Sequence, residues 1–265
     1  SSSSSSSSSG NGAKPDTWAC RHSVHADAPR RGTASWAEFE HWVRDEHAAS
    51  EEAFTPGVVG HRVLVEWDRQ EVASVVVDGS GGGAAAGTRW RGLRILLVEM
   101  KHKLPPPLQP RVFSVVQVIC SAVSGGGDGR EARDKEREEE EDKEEEEEAF
   151  LVISIPMADW PPTANASADW AVAATSSGCL AADKDIVVGM YASVEKVTRR
   201  GRRRSGGGGG ERMIDWTMAT TSDACGVLPL WVQTKAVPGQ IAKDVGLFLG
   251  WVAGERERGK GATSE

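Results

Sequence analysis

Cysteine and histidine residues are closely spaced in the sequence at Cys20, His22 and His25, and these residue types commonly ligate metals. A structural zinc site needs four ligands at a recognisable spacing, and no fourth ligand is evident here. We therefore expect no metal site, and we assign this segment to a strand or turn that leads into the first helix.

Two glycine-containing motifs have the spacing of nucleotide-binding loops. Gly254–Lys260 resembles a phosphate-binding loop, but Gly261 stands where Ser or Thr should bind magnesium, and no strand precedes the motif. The motif Gly127-x-Gly129-x-x-Ala132 leads into an acidic run, which does not suit a dinucleotide site. The chain also has no G-x-S-x-G and no H-E-x-x-H motif. We expect neither a cofactor nor catalytic residues.

One strongly basic cluster spans Arg199–Arg204 and precedes a run of glycine. It favours a solvated loop, with a peripheral contact to anionic lipid headgroups or a nuclear address as alternatives. An acidic block at 131–148 contains 13 acidic and 4 basic residues, so it accounts for the whole net charge of −8. The rest of the chain is nearly neutral, and we therefore expect no specific nucleic-acid partner.

The cysteines indicate the redox environment. All four (Cys20, Cys120, Cys179 and Cys225) are widely spaced, and none forms a C-x-x-C pair. This pattern favours reduced thiols in a cytoplasmic protein over a disulfide framework. No signal peptide is visible, although a chain that begins with Ser could have lost a leader. No apolar run approaches the roughly 20 residues of a membrane span.

Five stretches carry almost no large apolar residues: 1–15, 78–88, 124–148, 199–210 and 255–265. We expect the two terminal stretches to be disordered tails and the three internal ones to be low-complexity insertions that are dispensable for folding. Surface loops tolerate such growth because closure costs only about 0.6 kcal/mol more per doubling of loop length. What remains suits one monomeric domain at 16–254 with a sizeable core.

Two helices are predicted. Ser35 and Glu38 form an S-x-x-E capping box, after which apolar residues recur at helical spacing, and His41, Glu46 and His47 occupy polar positions. The second helix spans 228–252. Its apolar stripe contains Leu230, Val237, Ile241, Val245, Phe248 and Val252. Gln233, Gln240, Lys243 and Asp244 lie mainly on its other side. Pro238 should kink or divide this helix, because proline lacks the backbone N–H.

Between the two helices lie segments in which apolar residues alternate with polar ones, and segments that are rich in β-branched residues. The predicted strands are Val98–Leu104, Val112–Ser121, Phe150–Ile155, Ile186–Val197 and Arg212–Thr221. In the first, Val98, Met100 and His102 alternate with charged residues. Proline-rich or glycine-rich segments join these strands, with Leu104–Pro110 as a stiff connection. Strands joined without intervening helices indicate an antiparallel sheet.

The segment Glu99-Met-Lys-His-Lys-Leu-Pro-Pro-Pro-Leu-Gln-Pro-Arg-Val-Phe113 resembles the signature of an uncharacterised fungal START-like family. Trp18–His25, Tyr191–Val197 and Met218–Val252 resemble the same family. Gly226-Val-Leu-Pro-Leu-Trp231 is similar to the start of the closing helix in lipid-transfer START domains, except for Leu at 230. The resemblance implies an α+β helix-grip fold, in which a curved antiparallel sheet grips a long C-terminal helix around an apolar cavity.

The function that follows from this resemblance is binding of an apolar ligand, such as a lipid, without chemistry. The residues expected to line the cavity are Phe113, Val115, Trp216, Met218, Trp231, Val245 and Phe248. The polar groups expected to select the ligand are His102, Arg111 and Tyr191. Two alternatives stay open: a cyclase-like enzyme that uses His102 or Tyr191, and a protein-interaction module that uses the charged insertions.

Overall fold

A computed structural model describes residues 17–67, 77–78, 89–123, 148–157, 178–201, 211–226 and 230–262. One sheet contains all eight strands of this part of the chain. They are β1 (Ala19–Ala26), β2 (Val58–Glu66), β3 (Val77–Asp78), β4 (Arg89–His102), β5 (Arg111–Val123), β6 (Glu148–Pro156), β7 (Val187–Arg200) and β8 (Met213–Asp223). The Cys20–His25 segment is therefore a strand.

The strand order is β1-β8-β7-β6-β5-β4-β2, and β3 pairs with β4. Every pairing is antiparallel except a short parallel contact between the starts of β5 and β7. The proline-rich connection between β4 and β5 is present as predicted, with a cis peptide bond at Pro106-Pro107. The register of β4 against β5 shifts between Arg91 and Arg94. Gly92 lies at this irregularity with φ +64, a conformation that favours glycine.

The predicted capping box is present at the first helical segment. The Glu38 backbone N–H donates to Ser35 Oγ, and the Glu38 carboxylate accepts from the Ser35 backbone N–H. The segment consists of α1 (Trp36–Phe39), a π-helical stretch (Glu40–Asp45) and α2 (His47–Phe54). It packs on the sheet through Trp36 and Phe39, which are both buried.

The second helix, α3, spans Leu230–Ala262. Three residues of its predicted apolar stripe are buried, as expected: Ile241, Phe248 and Val252. Pro238 lies inside this helix and does not divide it. The prediction that 255–265 is a disordered tail is wrong for residues 255–262. These residues stay helical, and the Arg256 guanidinium donates to the Glu38 carboxylate and to the carbonyls of Arg30 and Thr33.

The core lies between the inner face of the sheet and the helices. Phe39, Trp216 and Phe248 form its centre, with ring centroids 5.2–5.4 Å apart. Around them pack the inward side chains Val98, Met100, Val115, Phe150, Val152, Val197 and Ile214. The predicted α+β class, an antiparallel sheet closed by a long C-terminal helix, is confirmed.

The burial of Glu99 on the outer face of the sheet is unexpected, because alternation along β4 predicts that its side chain points to solvent. Its side chain is fully buried, because a 3-10 turn at Leu180–Ala182 covers it. The carboxylate accepts from the backbone N–H groups of Leu180 and Ala181 and from Ser114 Oγ. A buried carboxylate with several donors is a stable arrangement that strand periodicity alone does not predict.

Four charged residues assigned to insertions belong to strands: Asp78 ends β3, and the other three form ion pairs. Glu148 begins β6 and lies opposite Arg199 of β7, and these two side chains form an ion pair at 2.5 Å. Arg199 also bonds Asp27 at 2.8 Å, and Arg200 pairs with Asp215 at 2.6 Å. These two arginines of the basic cluster are therefore held by carboxylates, and 202–204 lie outside the described residues. The bodies of the insertions at 79–88 and 124–147 also lie outside them.

Candidate functional site

A cavity lies between the inner face of the sheet and the helices α2 and α3. We call it the sheet–helix cavity, and its volume is about 30 Å³. That volume accommodates roughly two water molecules. The lining residues are Arg21 of β1, Val43 of the π-helical stretch, His47, Ser50, Glu51 and Phe54 of α2, Thr55, Glu195 of β7, Trp216 and Met218 of β8, and Asp244 of α3.

Pairing between strands places the key sheet residues side by side. Met218 of β8 lies opposite both Arg21 of β1 and Glu195 of β7. Trp216, two residues earlier on β8, projects from the same face of the sheet. The guanidinium of Arg21 stacks over the Trp216 ring with its Cζ 3.8 Å from the centroid. The Trp216 indole N–H donates to Glu195 at 2.9 Å. The indole therefore touches both the buried cation and the buried carboxylate.

Arg21 is only 9% exposed, yet its Nε and Nη1 atoms have no hydrogen-bond partner within the described part of the chain. The buried hydroxyl oxygen of Thr55, which also lines the cavity, has none there either. Burial lowers the pKa of Arg21, although Glu195 and Asp244 oppose that effect. A buried polar group without a partner costs about 1–3 kcal/mol, and more when it is charged. These two side chains therefore mark a place where polar atoms of a ligand or of water are needed.

Two carboxylates reach the cavity from the helices. Burial, with the nearby carboxylates Glu195 and Asp244, raises the pKa of Glu51 to about 7, against the opposing effect of His47. Burial raises the pKa of Asp244 to about 6, while Arg21 opposes the shift. The side chain of Glu51 is still 28% exposed, so protons can exchange with solvent. The cavity therefore disfavours negative charge and holds two groups that titrate near neutral pH.

Of the seven predicted lining residues, Trp216 and Met218 line the cavity. Val115 and Phe248 are buried in the core beside it, and Val245 packs against that core. The expectation that Trp231 packs between sheet and helix is wrong. Its side chain is 65% exposed, and its ring lies near Lys235 Nζ.

Phe113 and two of the predicted polar selectors form an aromatic cluster. The Phe113 ring contacts His102 at 5.1 Å and Tyr191 at 5.5 Å. A Cβ at Gly189 would overlap the Phe113 ring, so glycine is needed there. Burial lowers the pKa of His102 to about 4 and raises that of Tyr191, the latter with a contribution from Glu51. None of these residues is among the side chains that line the sheet–helix cavity.

Arg111, the third predicted selector, is fully buried and already occupied. Its Nε donates to the carbonyl of Ala224 at 2.6 Å, and its Nη1 donates to the carbonyl of Gln109 at 2.6 Å. Its Nη2 approaches the Cys225 carbonyl at 3.5 Å. These bonds tie the segment after β8 to the start of β5. Arg111 is thus a structural residue of this junction.

Sequence reasoning missed the five titratable residues of the cavity, which are Arg21, His47, Glu51, Glu195 and Asp244. Asp244 was assigned to the outer side of α3 and His47 to a polar helix position, yet both line the cavity. Arg21 and Glu195 share strand parity with the buried residues His25 and Val197. The sequence offered one signal for these residues, namely a charged residue at a strand position that points inward. It was ambiguous for β1, because polar residues stand on both faces of that strand.

The cysteine and histidine residues of β1 do not converge on one point. Cys20 and His22 project from the outer face of β1, whereas His25 projects from the inner face and bonds Ser23 Oγ at 2.9 Å. His22 pairs with Asp215 at 2.9 Å. Within the described ranges, no group of three His, Cys, Asp or Glu side chains could hold a metal ion. No described helix has the length and hydropathy needed to cross a membrane, and all four cysteines are free thiols.

Comparisons with known proteins give one family. The sequence profile described as a protein of unknown function (DUF3074) matches residues 18–252. A search of curated proteins finds no significant match. Forty-one chains of solved structures match significantly. Among them, the crystal structure of human STARD10 aligns with a TM-score of 0.44 and 11% identity, covering 91% of this chain. This chain spans 65% of the length of that structure.

Proposed function

This chain belongs to the DUF3074 family of proteins of unknown function, and we propose that it binds an apolar ligand of the lipid class in the sheet–helix cavity and does not transform it. The observation that carries the proposal is the buried guanidinium of Arg21, whose Nε and Nη1 have no hydrogen-bond partner among the described residues, in a cavity that also presents Trp216, Phe54 and Met218. Ligand sites commonly combine apolar walls with a few polar groups that fix orientation.

The energetics support micromolar binding. Burying ten methylenes contributes about 8 kcal/mol at roughly 0.8 kcal/mol each, before ordering costs reduce the total. A micromolar dissociation constant corresponds to about 8 kcal/mol. A hydrogen bond to Arg21 adds to this by relieving the cost of its unpaired N–H groups.

The present volume of about 30 Å³ admits only a small part of such a ligand. Pockets for drug-sized ligands are roughly 300–1,000 Å³. Binding therefore requires α2 and α3 to move away from the sheet, or lining side chains such as Phe54 and Met218 to change rotamer. A ligand-bound structure is expected to show one of these two changes.

The test uses native mass spectrometry of protein purified from a eukaryotic host, followed by displacement of a fluorescent sterol. Met218→Trp places a bulky ring in the cavity and should abolish binding. Val194→Trp is the matched control, because Val194 lies on the outer face of the neighbouring strand and is 38% exposed. Equal binding by both variants would place the ligand elsewhere. Absence of binding by a well-folded wild type across a broad lipid panel would refute the proposal.

A second function, proton-transfer catalysis on the same ligand, is favoured by one observation. The pKa of Glu51 is raised to about 7, which suits a general acid or base at neutral pH. Arg21 could then polarise a carbonyl in the same cavity. The mass of a bound ligand should stay constant over hours if the protein only binds it. Conversion that disappears in Glu51→Gln would instead favour the enzyme.

A further inference from the structure

We infer that the polar end of the ligand is a small neutral alcohol, which lies in the present free space of the sheet–helix cavity between Arg21 and the surrounding carboxylates. This inference rests on the proposed function and adds the chemical class of the head group. Three properties of the cavity support the inference: its hydrogen-bonding groups, its charge and its size.

The hydrogen-bonding groups of the cavity require a ligand atom that accepts from Arg21, and they favour one that can also donate to a carboxylate. Arg21 presents Nε–H and Nη1–H groups that have no acceptor within the described part of the chain. The carboxylates Glu51, Glu195 and Asp244 line the same space and offer acceptors. A hydroxyl group has one donor and two acceptor lone pairs, so it can serve both sides at once. The unpaired Thr55 hydroxyl adds a further partner of the same kind.

The charge of the cavity disfavours an anionic head group. Three carboxylates line it, and Arg21 is the only lysine or arginine among the lining residues. The facing groups are Arg21 on β1, Glu195 on β7, His47 and Glu51 on α2, and Asp244 on α3. A carboxylate or phosphate would bond Arg21 but would add negative charge where burial already opposes it. A simple ammonium would leave the Arg21 N–H groups without an acceptor and would be repelled by them.

A bulky zwitterion would require the cavity to open further around the head group than an alcohol does. A phosphocholine group could in principle place its phosphate on Arg21 and its ammonium near the carboxylates. The free volume of about 30 Å³, however, holds only about two water-sized groups. One or two hydroxyl oxygens fit this space, and a phosphocholine group is several times larger. The apolar body then extends among Phe54, Trp216 and Met218.

The experiment compares head groups on one chain length. Calorimetric titration of the full chain at neutral pH would use decanol below its solubility limit, and decanoate, decyl phosphate and decylphosphocholine below their micelle concentrations. We expect decanol to bind at least about tenfold more tightly than the other three. Decanoate and decyl phosphate bring negative charge next to the lining carboxylates, and decylphosphocholine needs a larger space. Arg21→Met should weaken decanol binding about tenfold or more, whereas Arg30→Met, a change at an exposed arginine, should not.

The possible outcomes separate this inference from the proposed function. If all four compounds bind equally, the cavity binds apolar chains and the alcohol assignment is wrong. Tighter binding of decanoate or decyl phosphate would assign an anionic head group, and tighter binding of decylphosphocholine a zwitterionic one. If no compound binds and the lipid panel is also negative, the proposed function itself fails. The head-group series on wild type decides the question even if Arg21→Met does not fold.

Discussion

The end of α3 offers the sharpest test of the structure, because sequence and structure disagree there. The sequence alone assigns 255–265 to a disordered tail. In the structure, Arg256 donates from Nε and Nη2 to the two carboxylate oxygens of Glu38, at 2.5 and 2.8 Å. The two side chains are only 16% and 19% exposed. The bond thus connects the far end of α3 to the capping box of α1.

The magnitude follows from the burial of this pair. Removing one partner of a buried ion pair costs about 3–5 kcal/mol. Residual exposure reduces that, so we expect Arg256→Met to lower the free energy of unfolding by about 2–4 kcal/mol at neutral pH. For a chain of this size each kcal/mol shifts the thermal midpoint by about 2–4 °C. Thermal unfolding followed by circular dichroism should therefore show a fall of roughly 5–15 °C.

A matched control lies two residues further on. Arg258 is 66% exposed and pairs with Glu255 one turn earlier, so Arg258→Met should change stability by no more than about 0.5 kcal/mol. Equal effects of the two substitutions would refute the anchoring role of Arg256. If the C-terminal end of α3 were disordered, neither substitution would change the thermal midpoint.

The pH dependence of the same variant adds a second criterion. Burial by itself would raise the pKa of Glu38, but hydrogen bonds from Arg256 and Ser35 outweigh it and lower the pKa. A carboxyl group whose folded pKa is lowered stabilises the protein above its unfolded pKa of about 4.3. That contribution is lost as the pH falls through the folded value. The stability gap between wild type and Arg256→Met should therefore narrow below about pH 4.

Two further predictions concern the cavity and the core. Because the pKa of Glu51 is raised to about 7, the folded protein holds this proton more tightly than the unfolded chain does. Its contribution to stability is therefore present at pH below about 4.3 and decreases as the pH rises towards 7. Glu51→Gln should remove this decrease, so denaturant titrations at acidic and alkaline pH should differ less for the variant than for wild type. An unchanged pH profile would contradict the shifted pKa. Phe248 is fully buried among three aromatic rings, so Phe248→Ala should cost about 3–5 kcal/mol. Trp231→Ala should cost less than about 0.5 kcal/mol in the same assay, because Trp231 is exposed. A large loss at Trp231 would show that the start of α3 packs more closely than described.

Local patterns in the sequence determined the elements of this fold. Ser35 and Glu38 specify a helix start through bonds within four residues, and the stripe through Ile241, Phe248 and Val252 specifies the buried face of α3. Strand periodicity located β5 to β8 within a few residues but found only the last part of β4, from Val98, and the prolines at 105–107 separated β4 from β5. These features depend on neighbours in the chain, so one sequence suffices to predict them.

The tertiary structure alone decided which polar groups are buried. The alternation in β1 shows that Arg21 and His25 share a face, but only pairing with β8 places that face towards the helices. Likewise, Glu99 is buried because a turn some 80 residues later covers it. Arg256 continues α3 because its partner Glu38 stands 218 residues earlier. A charged side chain is buried only where distant residues supply its hydrogen bonds, and spacing along the chain does not record those partners.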